Sequence, residues 1–309
     1  MLKLLICHSF EGANCTFNPF KIRLFTVLKK GLEFIVYTNV WVALAVAALS
    51  AFTFIIIGRL DYNFICFSFF ATLLMYAYAR WFEAPAREDE STSRITDWKN
   101  SHKFWQIFSG IIGAAGAIYF ATFLEKNTLF ILLICGGISA MYPLQFLKRG
   151  QVALRNVAGI KLFIISLIWA IVSTVLPAVQ LGYGFSTELV FLTLQRFLFV
   201  MAITIPFDIR DLRIDSPDIN TLPYKIGLRP ARNVALVALL LAEVGAFVMY
   251  FSDTITAPVL LGQVLAFEIT SLFIKKSSPK KPDLYFSFGV EGTSILLFLS
   301  VAIFTYFWP

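Results

Sequence analysis

Apolar residues arrive in long, nearly unbroken runs separated by short polar stretches. Neither the alternation of a half-buried strand nor the narrow stripe of a surface helix fits them. The runs fall at about 36–57, 64–82, 104–123, 128–147, 159–180, 188–207, 233–250, 258–274 and 286–307. Each is close to the ~20 residues that carry an α-helix across a bilayer core. The pattern predicts an all-α, multi-pass membrane bundle of nine transmembrane helices. Ahead of the first run, residues 20–34 interleave Lys21, Arg23, Lys29 and Lys30 with Ile22, Leu24, Phe25, Val27 and Leu28. That spacing predicts a basic amphipathic helix lying in the headgroup layer. Residues 1–34 thus divide, as tail and interfacial helix, from a membrane domain at 35–309. Leu4 to Cys7 is too short for the apolar core of a signal peptide, and a poorly ordered tail is expected there.

Composition agrees. The 309 residues are 58% hydrophobic and 15% charged, far more apolar than a soluble domain. A net charge of +7 would suit a nucleic-acid binder, but the basic residues are distributed as in a membrane protein. With a cytoplasmic N-terminus, 23 of the 26 Lys and Arg fall in segments on the inner side. Arg59 and Lys126 fall in outer connections, and Arg196 falls within a span. The charge therefore reports orientation and contact with membrane lipids, and no nucleic acid is expected. The expected location is a bacterial inner membrane, with the N-terminus and the site cytoplasmic. The long polar connections, 83–103 and 208–232, lie on that same side, where a lid or site belongs. Cys7, Cys15, Cys66 and Cys135 lack CxxC spacing, and His8 and His102 are too scattered for a histidine metal site.

The most informative polar stretch is TIPFDIRDLRIDSPDINTLPYKIG, residues 204–227. Asp208, Asp211 and Asp215 stand at i, i+3 and i+7, within roughly 60° of one another on a helix. Like charges so placed destabilise a helix unless a cation is shared among them. The hard, oxygen-seeking candidate is Mg2+, which takes one or two carboxylates and completes its shell with water and phosphate. Neither Arg210 nor Arg213 lies on the Asp face at helical spacing. Inside the spans, Arg196 and Glu243 lie at similar depth on successive helices, and a lone charge there costs several kcal/mol. They are expected to form a structural ion pair. Glu268 and Glu291 raise the same question, and Glu291 lies closer to the polar site.

DIRDLRID with the following TLPYKIG, and Tyr142-Pro143 ahead of Lys148-Arg149, resemble the UbiA superfamily of intramembrane prenyltransferases over roughly residues 35–307. The resemblance implies a bundle around a central cavity, in which two Asp-rich motifs hold Mg2+ against an isoprenoid diphosphate. It implies transfer of the prenyl group to an aromatic or other lipophilic acceptor. Asp208, Asp211 and Asp215 take the catalytic and metal roles. The family's first Asp-rich motif is replaced by MYAYARWFEAPAREDE, where Glu83, or Glu88 to Glu90, would substitute as metal ligand. Lys148, Arg149, Arg155, Lys161, Arg210, Lys225 and Arg80 are the diphosphate-binding candidates. Tyr76, Tyr78, Trp81, Tyr142 and Trp169 are candidate aromatic linings. Two alternatives stay open: a non-catalytic UbiA-like membrane protein, and a small-molecule transporter using Arg196 and Glu243.

Overall fold

A computed structural model of the chain describes residues 19–81, 98, 102–144, 159–212 and 221–308. Every regular element among them is helical. In chain order these are α1 (Pro19–Tyr37), α2 (Val40–Ile57), α3 (Tyr62–Trp81), α4 (Lys103–Ala121), α5 (Lys126–Leu144) and α6 (Ile160–Gln180). Then follow α7 (Thr187–Asp211), a single turn at Leu222–Ile226, α8 (Leu228–Phe251), α9 (Ala257–Lys276) and α10 (Tyr285–Phe307). Among the described residues, eight of these helices are long and apolar enough to cross a bilayer. The fourth expected span, α5, carries a shorter apolar stretch, Lys126–Met141.

Helix α2 is apolar on every side, and that dictates its place. Its sequence VWVALAVAALSAFTFIII has no polar stripe to offer to solvent, and it is the most enclosed of the spans. It ends where Gly58 adopts φ +78°, donating its N–H to Phe54 O at 2.9 Å, the left-handed stop that glycine takes at least cost. The remaining spans close into a ring. Sequence neighbours pack through α6, α7, α8, α9 and α10, and α10 returns against α2, which packs on α3. Helix α3 also carries α4 on its outside and touches α5.

Two seams are set by small residues, as helix pairs in lipid require. A Cβ on Gly113 of α4 would stand 2.7 Å from Leu74 N of α3, and one on Gly262 of α9 would stand 2.6 Å from Val301 Cα of α10. Beside the second seam, Ser300 donates to Gly262 O at 2.8 Å.

Two spans widen into a π-helical turn. In α6 this is Ile171–Val175, and in α10 it is Tyr285–Val290. Such turns free backbone carbonyls, which must find donors inside a membrane. Ser173 donates to Trp169 O at 2.7 Å and Thr174 to Ala170 O at 2.6 Å. In α10, Trp41 of α2 donates from Nε1 to Phe288 O at 3.1 Å and stacks on the Phe288 ring at 4.4 Å.

The expected ion pair is not made. Arg196 is 1% exposed and turns toward α2 and α6. It donates to Leu49 O at 2.7 Å, to Ser173 Oγ at 3.1 Å and to Thr53 Oγ1 at 3.4 Å, with its guanidinium 4.7 Å from the Phe52 ring centre. Glu243 sits at the bundle surface, where its charged neighbour is Glu268. Depth along the helix matched the two residues, but azimuth separates them. The acceptors that satisfy Arg196 are a carbonyl and hydroxyls gathered at the wide turn of α6.

Candidate functional site

An apolar cavity of about 270 Å³ lies between α3, α5 and α6. Helical periodicity builds two of its walls. Ile164, Ile165, Ile168, Trp169 and Val172 form one stripe of α6, and Ser68, Thr72, Met75, Tyr76 and Ala79 form one stripe of α3. Cys135, Gly136 and Ser139 of α5 supply a third side. The α6 stripe continues one turn back to Lys161, and the α3 stripe ends at Arg80. Both apolar walls therefore finish on a cation, and they do so at the end of the bundle where α7 delivers its aspartates.

Helix α7 runs through Pro206 without ending, and so carries Asp208 and Asp211 beyond the proline on the same helix. Asp208 is 3% exposed, and Lys161 Nζ lies 3.4 Å from its Oδ1. Asp211 is gripped from both sides by its own sequence neighbour: Arg210 Nε donates at 2.7 Å and Nη2 at 3.2 Å. The helical spacing that set Arg210 off the Asp face understates the reach of this side chain, which bends round to form a bidentate fork. Arg210 also lies 5.2 Å from the Phe207 ring centre and donates to Ser287 Oγ of α10 at 3.5 Å.

Across from these pairs stand Arg80 and Glu291. Arg80 donates to Tyr37 O at 3.5 Å, the carbonyl that Gln106 also reaches at 2.7 Å. Glu291 opens the regular part of α10 directly after the wide turn, within electrostatic reach of both Arg80 and Arg210. Tyr76 lines the cavity with Trp169, within electrostatic reach of Glu291 and Arg80. Tyr76, Arg210 and Glu291 are each partly buried in the bundle.

The structure thus gathers Arg80, Lys161, Asp208, Arg210 and Asp211 at one end of one cavity, with Tyr76 and Trp169 on its wall. Lys225 is exposed on the turn Leu222–Ile226 and takes no part in these contacts. Tyr78 instead donates to Ala140 O of α5 at 3.1 Å, and Trp81 is exposed. Asp215, Glu83, Lys148, Arg149 and Arg155 lie outside the described residues, as does the side chain of Tyr142. Asp283, in the connection before α10, was not singled out by its spacing, yet it adds a further carboxylate near Arg210.

As metal ligands, Asp208 and Asp211 have the right chemistry: two hard carboxylates a turn apart, each already holding a cationic nitrogen. Among the described residues no third acid, histidine or cysteine joins them in a metal-sized cluster. Among the described residues the fixed cations do not outnumber the acids. Arg80, Lys161 and Arg210 face at least as many carboxylates in Asp208, Asp211, Glu291 and Asp283.

No protein-family model and no curated protein sequence matches the chain. Its fold does have neighbours among solved structures. One is a structure of digeranylgeranylglyceryl phosphate synthase, 15% identical, covering 89% of this chain and 98% of that one at a TM-score of 0.53. Another is the apo structure of a UbiA homolog from Aeropyrum pernix K1, 11% identical, covering 88% of this chain and 97% of that one at a TM-score of 0.57. At these identities the likeness is one of architecture, and it runs nearly end to end. The chain therefore shares its fold, a bundle of membrane-length helices, with a UbiA homolog and with digeranylgeranylglyceryl phosphate synthase.

Proposed function

We propose that this protein transfers a prenyl group from an isoprenoid diphosphate to a lipophilic acceptor within the membrane. One observation carries the reading: the apolar cavity has two walls that each terminate on a basic side chain, Lys161 and Arg80, beside the buried Asp208. That is a slot for a molecule with a hydrocarbon tail and an anionic head. The tail lies along Ile164, Ile165, Ile168 and Met75. The head meets Lys161, Arg80 and Arg210 in a partly enclosed setting, where charge–charge interactions are stronger than in open water. As the allylic carbon–oxygen bond breaks, these cations stabilise the charge gathering on the departing diphosphate. The faces of Tyr76 and Trp169 steady the allylic cation left behind. Enclosure by the bundle limits capture by water.

Magnesium belongs to the same proposal. Because the fixed cations are already matched by fixed acids, an incoming diphosphate brings uncompensated negative charge. Asp208 and Asp211, with Asp215, would hold a Mg2+ ion, which supplies further neutralisation of that charge. The positive-inside distribution supports a cytoplasmic position for this end of the bundle.

The test is radiolabelled prenyl diphosphate of several chain lengths, incubated with purified protein, Mg2+ and lipid-soluble acceptors. Diphosphate release that EDTA stops and Asp211→Asn abolishes supports the reaction. One observation favours a second reading, a non-catalytic relative: Asp208 and Asp211 are each already neutralised by a basic side chain. Absence of release with every donor and acceptor would establish that reading instead.

A further inference from the structure

Two acids stand where the fold gives them nothing to do. Glu243 of α8 and Glu268 of α9 lie on the outer surface of adjacent spans, Glu243 half-buried and Glu268 exposed. Each is eight residues from the nearer end of its helix, at Phe251 and at Lys276. At roughly 1.5 Å per residue, that places both about 12 Å inside the span. A glutamate side chain is too short to reach the headgroups from there. Among the described residues neither carboxylate has an ion-pair partner, and the charge acting on Glu243 is the like charge of Glu268. An acid facing hydrocarbon is costly, and a partner is called for.

The surface around the two acids is patterned for a helix. On α9 the exposed stripe is Leu261, Leu265, Glu268 and Leu272, spaced four, three and four residues apart. On α8 Glu243 lies between exposed Leu240 and Phe247 at the same helical spacing. The two stripes border one groove, since α8 packs on α9 and the two acids feel each other. Such a seam is what a helix running alongside fills, whereas contact with lipid tails needs no acid in it.

Depth and charge narrow what covers it. A cationic lipid headgroup is held at the interface, and only a protein span carries a charge this far into the bilayer. A second copy of this chain supplies none. Among the described residues of the spans, Arg196 is the only basic residue more than two turns from a helix end, and it is buried and bound to Leu49, Ser173 and Thr53. We infer that the α8–α9 face is a docking surface for a transmembrane helix of a different protein, one that sets a lysine or arginine at mid-bilayer depth against Glu243 and Glu268. The face is formed by other helices than the cavity walls of α3, α5 and α6, so the inference stands apart from the prenyl-transfer reading.

The test uses the full chain in vesicles of zwitterionic lipid and two synthetic Leu-Ala transmembrane peptides, one with a central Lys and one with Leu in its place. Energy transfer between labelled protein and labelled peptide reads association. The wild type takes up the Lys peptide at least tenfold more tightly than the Leu peptide. Glu243→Gln combined with Glu268→Gln, with its melting temperature checked, abolishes that preference, and Glu243→Asp combined with Glu268→Asp retains it. Equal uptake of the two peptides by the wild type overturns the docking surface. A third variant adds Ile111→Glu, on the exposed face of α4, to the double Gln variant. Failure to recover the preference supports a built surface on α8 and α9. Full recovery shows that any acid facing lipid suffices, and the docking surface falls. Wild-type copies carrying different labels are reconstituted together in the same vesicles. Self-association that the double Gln variant loses would make a second copy the occupant and overturn the foreign helix.

Discussion

Lysine 161 offers the sharpest test of how the polar end is held. Its Nζ stands 3.4 Å from Asp208 Oδ1, and the Asp208 side chain is only 5% exposed. Substitution by Met keeps the hydrocarbon stem and removes the charge, leaving the carboxylate enclosed without that partner. Removing one partner of a fully buried pair costs about 3–5 kcal/mol. Lys161 is itself 28% exposed, so water screens part of the attraction. The expected loss for Lys161→Met is therefore below that range, about 2–3 kcal/mol. At about 2 °C per kcal/mol for a chain of this size, the melting temperature in detergent should fall by roughly 5 °C. Lys161→Met combined with Asp208→Asn removes the stranded charge and should recover most of the loss, a coupling of about 1–2 kcal/mol. The assay is thermal unfolding of the wild type, both single variants and the double. A Lys161→Met protein that melts with the wild type, or a double variant that loses the sum of the singles, would refute the pairing.

Three other outcomes follow from the packing. Arg196→Met should lower the melting temperature by several degrees, because Leu49 O, Ser173 and Thr53 lose a shared donor; the exchange Arg196→Glu with Glu243→Arg should restore nothing, as expression and melting of both would show. Gly262→Ala should destabilise by about 1–3 kcal/mol, since the new Cβ would press on Val301 backbone atoms that cannot yield, whereas Gly136→Ala, which meets nothing within 4 Å, should be nearly neutral by the same measurement. Gly136→Phe should leave folding intact but occupy part of the cavity, so that long prenyl diphosphates release diphosphate more slowly than short ones; equal slowing at all lengths would contradict the tail assignment.

The helices were legible because a span needs only a run of apolar residues, and boundaries such as 36–57 against Val40–Ile57 differ by a few residues at most. The aspartates were legible because three acids at helical spacing are conspicuous in so apolar a chain. Their partners were not. Lys161 reads from sequence as an orientation charge, and only the return of α6 beside α7 sets it on Asp208. The fork of Arg210 on Asp211 is hidden from a helical wheel, which places Cβ atoms and ignores the length of a guanidinium side chain. Arg196 and Glu243 were matched by depth alone. Hydropathy gives depth well and rotation about the helix axis poorly, and rotation decides which charges meet. The acceptors that satisfy Arg196 also depend on a wide turn that no hydrophobic periodicity announces.

That wide turn recurs before Glu291, and it shifts the phase of everything after it. A π-helical turn holds one residue more than the α-helical path it interrupts, so the rest of α10 is advanced by about 100° relative to a regular helix. Deleting one residue between Tyr285 and Val290 would leave the composition of the span almost untouched, yet swing Glu291 away from Arg80 and Arg210 and carry Ser300 and Val301 away from Gly262 on α9. An alignment that runs through this span without a gap, against a relative lacking the extra residue, would pair inward-facing positions with outward-facing ones from Glu291 onward.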